Sequence, residues 1–413
     1  MAITVFYATN RGHEGTERFR PRRYGSRFSS DGMENLRFGR VQFGADDAEV
    51  DRLLAQSRPK TGQGDGEALQ GYFTGCMKKR GNVRIDAYEE QIPAGQGDGN
   101  APATTKLGSL AMFADLQGDM QRGNDLLVLV HGFNVSWEEA VATAAAFEAV
   151  LNRTRAGVAP KQPVRVILFT WPSDGRAIPW ASYKSDRADA RGTAGALGRS
   201  MLKMRDYLHQ LAKDVRLDHQ RKQALRSSMR GMPTAEIERA VAQLEVTELC
   251  RQKIHLLAHS MGNFVLQNAL DRIWDFSPGE QLPRLFDQVF LCAPDVDDDV
   301  LEPGKPMERL HQIAQNVVIY HNPGDAALRI SDYTKGNPDR LGQRGAARPQ
   351  VLHQKISQVD CAEMVSGLTQ HSYYTNGRVT DDIRGAIEQL VPAQRGLAAV
   401  GTSGNAWKLL PLV

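Results

Sequence analysis

The chain has few of the features that mark secreted, membrane-bound or nucleic-acid-binding proteins. Its four cysteines, Cys76, Cys250, Cys292 and Cys361, are scattered over 413 residues with no CxxC pair. That excludes a disulfide framework and offers no metal-ligand spacing. Cys292 falls inside an apolar run and is expected to be a buried, reduced thiol. No stretch of about eighteen uninterrupted apolar residues occurs, so no membrane span is expected. The first apolar run, Ile3 to Ala8, has no basic residues before it and stops at Thr9-Asn10-Arg11; it reads as a strand rather than a signal peptide. Charge of one sign is also lacking. Lys and Arg number 51 against 48 Asp and Glu, a formal net charge of +3, too small at this length to argue for nucleic acid or an acidic membrane. There is no internal repeat. A soluble, cytoplasmic protein is expected, with 41% hydrophobic and 24% charged residues, an ordinary globular composition.

What the chain does have is an alternation of short apolar runs with helical stretches, starting at Asp125. Leu126–Val130 is a continuous apolar run, as a strand buried on both faces requires, and Val164–Thr170, Ile254–Leu257, Gln288–Cys292 and Val317–Tyr320 are the further expected strands. A weaker last strand covers Gln354–Val359. Helices are expected over Ser136–Arg155, Ala190–Ala212 and Asp381–Leu390. This order predicts an α/β fold, a mostly parallel sheet with helices on both faces. Residues 1–120 form an N-terminal extension contributing strands (Ile3–Tyr7, Phe38–Phe43, Val83–Ala87), with Gly-rich loops at 61–66 and 93–100. The core spans 121–395, and 396–413 is a tail. The charged segment 214–250, broken by Met232-Pro233-Thr234, reads as an inserted helical hairpin.

One junction carries chemistry. The run Ile254–Leu257 leads into Ala258-His259-Ser260-Met261-Gly262, and a helical pattern follows at once. A serine on a tight strand-to-helix turn exposes its hydroxyl beside the first N–H groups of the helix. Small residues are needed two positions either side, and Ala258 and Gly262 supply them. Such a serine needs a base within hydrogen-bond reach. Elbow serine hydrolases place serine, acid and histidine in that order along the chain. Of the downstream histidines (His311, His321, His353, His371), His371 lies in a loop after the last expected strand and is the favoured base; His321, near Asp325, is second. Asp325, in the turn Asn322-Pro323-Gly324-Asp325, is the favoured acid, and Asp295 in Ala293-Pro294-Asp295 competes. The acidic cluster from Asp295 to Asp299 reads as a helix N-terminus rather than a cation site. Oxyanion donors are expected from Met261 N–H and from Phe133 N–H in His131-Gly132-Phe133-Asn134. Trp171, Trp180 and Tyr183 follow a strand end and either line a pocket or pack.

These pieces together resemble a bacterial family of esterase/lipase-like α/β-hydrolases of unknown function. The matching segments are Ala8-Thr9-Asn10-Arg11, His131-Gly132-Phe133-Asn134, Trp171-Pro172-Ser173, His259-Ser260-Met261-Gly262-Asn263, Ala293-Pro294-Asp295 and His371-Ser372-Tyr373-Tyr374. The resemblance covers roughly residues 120–390 and the first strand. It implies the α/β-hydrolase fold and a serine-hydrolase mechanism but no defined substrate; the leading expectation is hydrolysis of a small-molecule carboxylic ester through an acyl-enzyme, with no metal or organic cofactor. It leaves open a thioesterase, amidase or lipase with the same residues, or a non-catalytic binding scaffold.

Overall fold

The computed structural model describes residues 3–79, 81–90, 107–155, 157, 159–173, 179–217, 219–249, 252–276, 284–328, 339–365 and 371–411. Its centre is a sheet of 11 strands. The first seven strands of the chain are β1 (Ile3–Thr9), β2 (Arg11–Glu14), β3 (Arg23–Phe28), β4 (Arg37–Phe43), β5 (Ser57–Arg58), β6 (Gly62–Gln63) and β7 (Val83–Ala87). The other eight are β8 (Asp125–Val130), β9 (Val164–Thr170), β10 (Ile254–His259), β11 (Phe286–Cys292), β12 (Ala314–His321), β13 (Ile356–Asp360), β14 (Leu397–Ala399) and β15 (Ala406–Leu409). The large sheet runs β14-β15-β13-β12-β11-β10-β8-β9-β1-β4-β7, while β2–β3 and β5–β6 are separate two-stranded ribbons. From β1 across to β13 the pairings are parallel; β4, β7 and β14 add antiparallel edges.

Helices cover both faces, as the unbroken apolar strands demand. On one face lie α1 (Asp47–Ala55), α2 (Gly66–Lys78) and α4 (Trp137–Asn152), packed with the late helix Gly377–Ile387. On the other lie α3 (Ser109–Gln121), the 39-residue α5 (Pro179–Leu217) and α8 (Gly262–Phe276). The start of α4 shows why it begins where it does. Ser136 accepts from Glu139 N, and the Glu139 side chain reaches back to Ser136 N, a capping box.

Several elements extend beyond the sequence expectations. α5 begins well before Ala190, and the insertion holds α6 (His219–Ser228) and α7 (Thr234–Leu249). The strand at Ile356–Asp360 is not the last, because β15 pairs with it in parallel and β14 closes the edge. Their short, mixed sequences carry too little apolar pattern to stand out. The tract 61–66 is more than a loop: it holds β6 and the first residue of α2. Residues 93–100 lie outside the described residues.

The N-terminal strands share the main core. Trp137, 1% exposed, stands edge-on to Tyr7 at 4.9 Å and packs against Tyr24 at 4.7 Å. The two tyrosine hydroxyls are 3.0 Å apart. Cys76, Cys292 and Cys361 are free and buried, as expected for Cys292; Cys250 lies outside the described residues. Replacing Trp137 by Ala removes the plate between α4 and both N-terminal segments. The expected loss is about 3–5 kcal/mol of unfolding free energy, measurable by urea denaturation as a lower midpoint.

Candidate functional site

The sheet reverses its winding between β8 and β10: the chain steps from β8 outward to β9 on one side and returns to β10 on the other. In open α/β sheets such a point leaves a crevice beyond the carboxyl ends of the strands. The segments after β8, β10 and β11 meet there. Four described non-glycine residues have left-handed φ, and three lie on these segments: Asn134 (56°), Ser260 (53°) and Ala293 (44°). Each such conformation costs about 1–3 kcal/mol and needs its surroundings to hold it. Ser260 N donates to Cys292 O (2.9 Å), and Ala293 N to Tyr320 O (2.9 Å). Asn263 Nδ2 donates to Ala258 O (2.9 Å) and Ser260 O (3.1 Å), clasping both ends of the bend. Asn134 N donates to Asp186 Oδ2 (2.9 Å), which also receives the Ser173 hydroxyl (2.7 Å).

The approach of the two central loops leaves no room for side chains. A Cβ on Gly262 would lie 2.6 Å from Val130 O and 2.7 Å from His131 O; one on Gly132 would lie 2.9 Å from Ser260 Cβ. The loop after β8 is therefore seated directly on the serine. His131 sets its direction. Its Nδ1 lies 2.8 Å from Gly132 O, which can only accept, so Nδ1 carries the proton. Nε2 then accepts from Trp171 N (3.3 Å) and from Thr170 Oγ1 (2.9 Å). With the Gly132 carbonyl turned to the imidazole, the trans peptide points Phe133 N–H the opposite way. Burial pushes the His131 pKa down to about 3, so the ring is neutral at any working pH.

Arg11 completes this support. Its guanidinium is buried, with no carboxylate in ion-pair range among the described residues. It donates to Thr170 Oγ1 (3.0 Å), Gly25 O (3.1 Å) and Val135 O (2.8 Å), and lies 3.5 Å from His131 Nε2. Burial brings its pKa down to about 10, still cationic at neutral pH.

Asp325 and His371 are brought together. His371 Nδ1 lies 2.7 Å from Asp325 Oδ2, and Asp325 Oδ1 accepts from Ala327 N (3.0 Å) and Leu328 N (3.3 Å). The His371 ring lies 4.8 Å from that of His259, the residue before Ser260, and His371 O is 3.3 Å from His259 Nε2. Burial, with His371 alongside, holds the His259 pKa well below the usual value.

The competitors are occupied elsewhere. Asp295 takes the Tyr183 hydroxyl at 2.8 Å and Arg340 at 3.5 Å. His321 is buried against Gln343, its pKa lowered by desolvation. His311 and His353 stack on each other at 4.0 Å, near the amino ends of β12 and β13. The acidic cluster corrects the sequence reading: no helix starts there, and Asp297 pairs with Arg340 (2.6 Å) and Asp299 with Lys305 (2.5 Å). Trp171 packs, stacked on His131 with Nε1 on His131 O (3.0 Å); the Trp180 side chain lies outside the described residues. A polar cleft of about 220 Å³ opens beside His371, walled by Arg58, Asp65, Glu67 and Asn376. Among the described residues no cluster of three or more His, Cys, Asp or Glu could hold a metal ion.

Arg11, His131, His259 and Asp186 support the loops around Ser260 and His371, a placement the sequence reading did not assign. For Arg11, His131 and His259 the signal available was positional, polar residues at the carboxyl ends of otherwise apolar strands; Asp186, inside α5, has no such signal.

A family model described as an α/β hydrolase of unknown function, DUF900, matches residues 111–383. The chain belongs to that family. No curated protein and no solved structure matches it. This α/β hydrolase also has no described helix long and apolar enough to cross a membrane.

Two outcomes follow for the hydrolase. Gly262→Ala must displace β8 from α8, and about 1–3 kcal/mol of stability is expected to be lost, read by thermal unfolding. His131 and His259 are held neutral when folded but take protons near pH 6.5 when unfolded. Their contribution is therefore present above pH 6.5 and lost as pH falls below it. The melting temperature should drop between pH 7 and 5, and less steeply in His131→Asn.

Proposed function

We propose that the chain is a serine hydrolase that cleaves carboxylic esters through an acyl-enzyme. The observation that carries the reading is the Asp325–His371 bond, 2.7 Å, with the imidazole packed beside the residue preceding Ser260. A neutral imidazole that donates from Nδ1 to a carboxylate presents a basic Nε2, and the carboxylate stabilises the imidazolium formed when it takes a proton.

In the proposed reaction Ser260 Oγ attacks the ester carbonyl while His371 Nε2 takes its proton. The negative charge on the carbonyl oxygen is received by Phe133 N–H and Met261 N–H, neither of which has a hydrogen-bond acceptor among the described residues. Donors fixed before reaction need no reorganisation as charge develops. Collapse of the intermediate breaks the C–O bond, and His371 returns the proton to the departing alkoxide. Water then attacks the acyl-serine by the same route and regenerates Ser260. Arg11 and His131 act as positioning residues, keeping the Gly132–Phe133 peptide turned. The left-handed φ of Ser260 is consistent with this role, since strain of this kind gathers at functional sites.

Ser260→Ala is expected to lower kcat toward 4-nitrophenyl acetate and butyrate by about 10⁴-fold or more. The same change should abolish covalent labelling by a fluorophosphonate. Asp325→Asn is expected to cost about 10³- to 10⁴-fold while labelling persists slowly. Undiminished turnover in Ser260→Ala would contradict the reading.

A further inference from the structure

The helix α5 packs against α8 and carries two cations onto its first turn. The Arg187 guanidinium lies over the Phe264 ring, its Cζ 3.7 Å from the centroid, and Arg191, one turn on, approaches the same ring at 5.3 Å. Phe264 is in the first turn of α8, four residues past Ser260. Arg187 Nη1 also reaches the Tyr183 hydroxyl at 3.4 Å. Tyr183 in turn packs edge-on to Phe133 at 5.7 Å and donates to Asp295, whose N–H bonds Ser260 O at 3.1 Å. Arg187 is thus one side chain, Tyr183, removed from the Gly132–Phe133 loop and two residues, Tyr183 and Asp295, from the serine bend.

Neither arginine has a carboxylate within ion-pair distance among the described residues. The acids around them are committed: Asp186 to Ser173 and Asn134, Asp295 to Tyr183 and Arg340. Beyond the Tyr183 hydroxyl, the Arg187 N–H groups have no hydrogen-bond acceptor among the described residues. Like charges spaced i,i+4 on a helix repel, and a bound anion between them would offset that repulsion.

We propose that Arg187, assisted by Arg191, binds a carboxylate on the acyl portion of the substrate, so that the enzyme's esters are monoesters of dicarboxylic acids. This rests on the serine-hydrolase reading above. An ester placed with its leaving oxygen toward His371, which packs on His259 at 4.8 Å, would extend its acyl portion toward Tyr183, which packs on Phe133 at 5.7 Å, and so toward Arg187. A planar fork of donors matches a carboxylate in two parallel bonds.

The test compares two esters of similar length and equal leaving group, 4-nitrophenyl hemiglutarate and 4-nitrophenyl valerate, on the full chain. The hemiglutarate is expected to have a kcat/KM about 10- to 100-fold higher, mostly through KM, with the advantage shrinking as salt rises. Arg187→Gln should remove that advantage, and Arg187→Lys should keep part of it. A preference ratio near one in the wild type, or one that Arg187→Gln does not change, would overturn the proposal. If neither ester is cleaved and a fluorophosphonate does not label Ser260, the hydrolase reading fails separately. Titration calorimetry with glutarate then decides the anion site: saturable binding to the wild type, lost in Arg187→Gln, sustains it, and no binding to the wild type ends it.

Discussion

The contact on which the site depends is the meeting of two backbones, the loop after β8 and the bend between β10 and α8. Gly132 and Gly262 are the residues that permit it, because either Cβ would collide with a neighbouring atom closer than 3.0 Å. The approach places a strained serine against a peptide whose carbonyl is already engaged by His131. Neither loop could hold such a conformation alone. Ser260 is anchored by Cys292 and Ala293 by Tyr320, each on an adjacent strand, and Asn134 by Asp186 on α5. The stiffness of the parallel sheet is transmitted to the site through those bonds.

Much of this was legible in the sequence. Mostly apolar runs gave the central strands, since a strand covered on both faces shows little polar side. The serine bend, the His131–Asn134 loop and the family-like segments followed from short spacings. The choice of Asp325 over Asp295 followed from chain order, and the structure pairs His371 with Asp325 while engaging Asp295 with Tyr183 and Arg340. The edge strands β14 and β15 were not legible, because an edge strand of three or four residues needs little apolar character. The acidic cluster was misread for a related reason: Arg340 and Lys305, which neutralise Asp297 and Asp299, are supplied by later stretches of chain whose approach no local pattern announces.

Arg11 shows how far local reasoning falls short. In the sequence it ends an apolar run and looks like an ordinary boundary residue. In the fold it is a buried cation that ties three separate segments, Gly25, Val135 and Thr170, to one point beneath the Gly132 loop. Burying a guanidinium without a carboxylate is costly unless its donors are used, and here each of the guanidinium nitrogens has a partner. The first strand and the ribbon β2–β3 are thereby joined to the site as well as to the sheet.

The central claim is that the serine, the imidazole and the two N–H groups converge on one reacting carbonyl group. It is tested most directly by the crystal structure of the protein after reaction with a fluorophosphonate. The account predicts a phosphorus–oxygen bond at Ser260, the phosphoryl oxygen within hydrogen-bond distance of Phe133 N and Met261 N, and His371 Nε2 beside a second phosphonate oxygen. A phosphonate attached elsewhere, or a phosphoryl oxygen turned away from both amides, would contradict it.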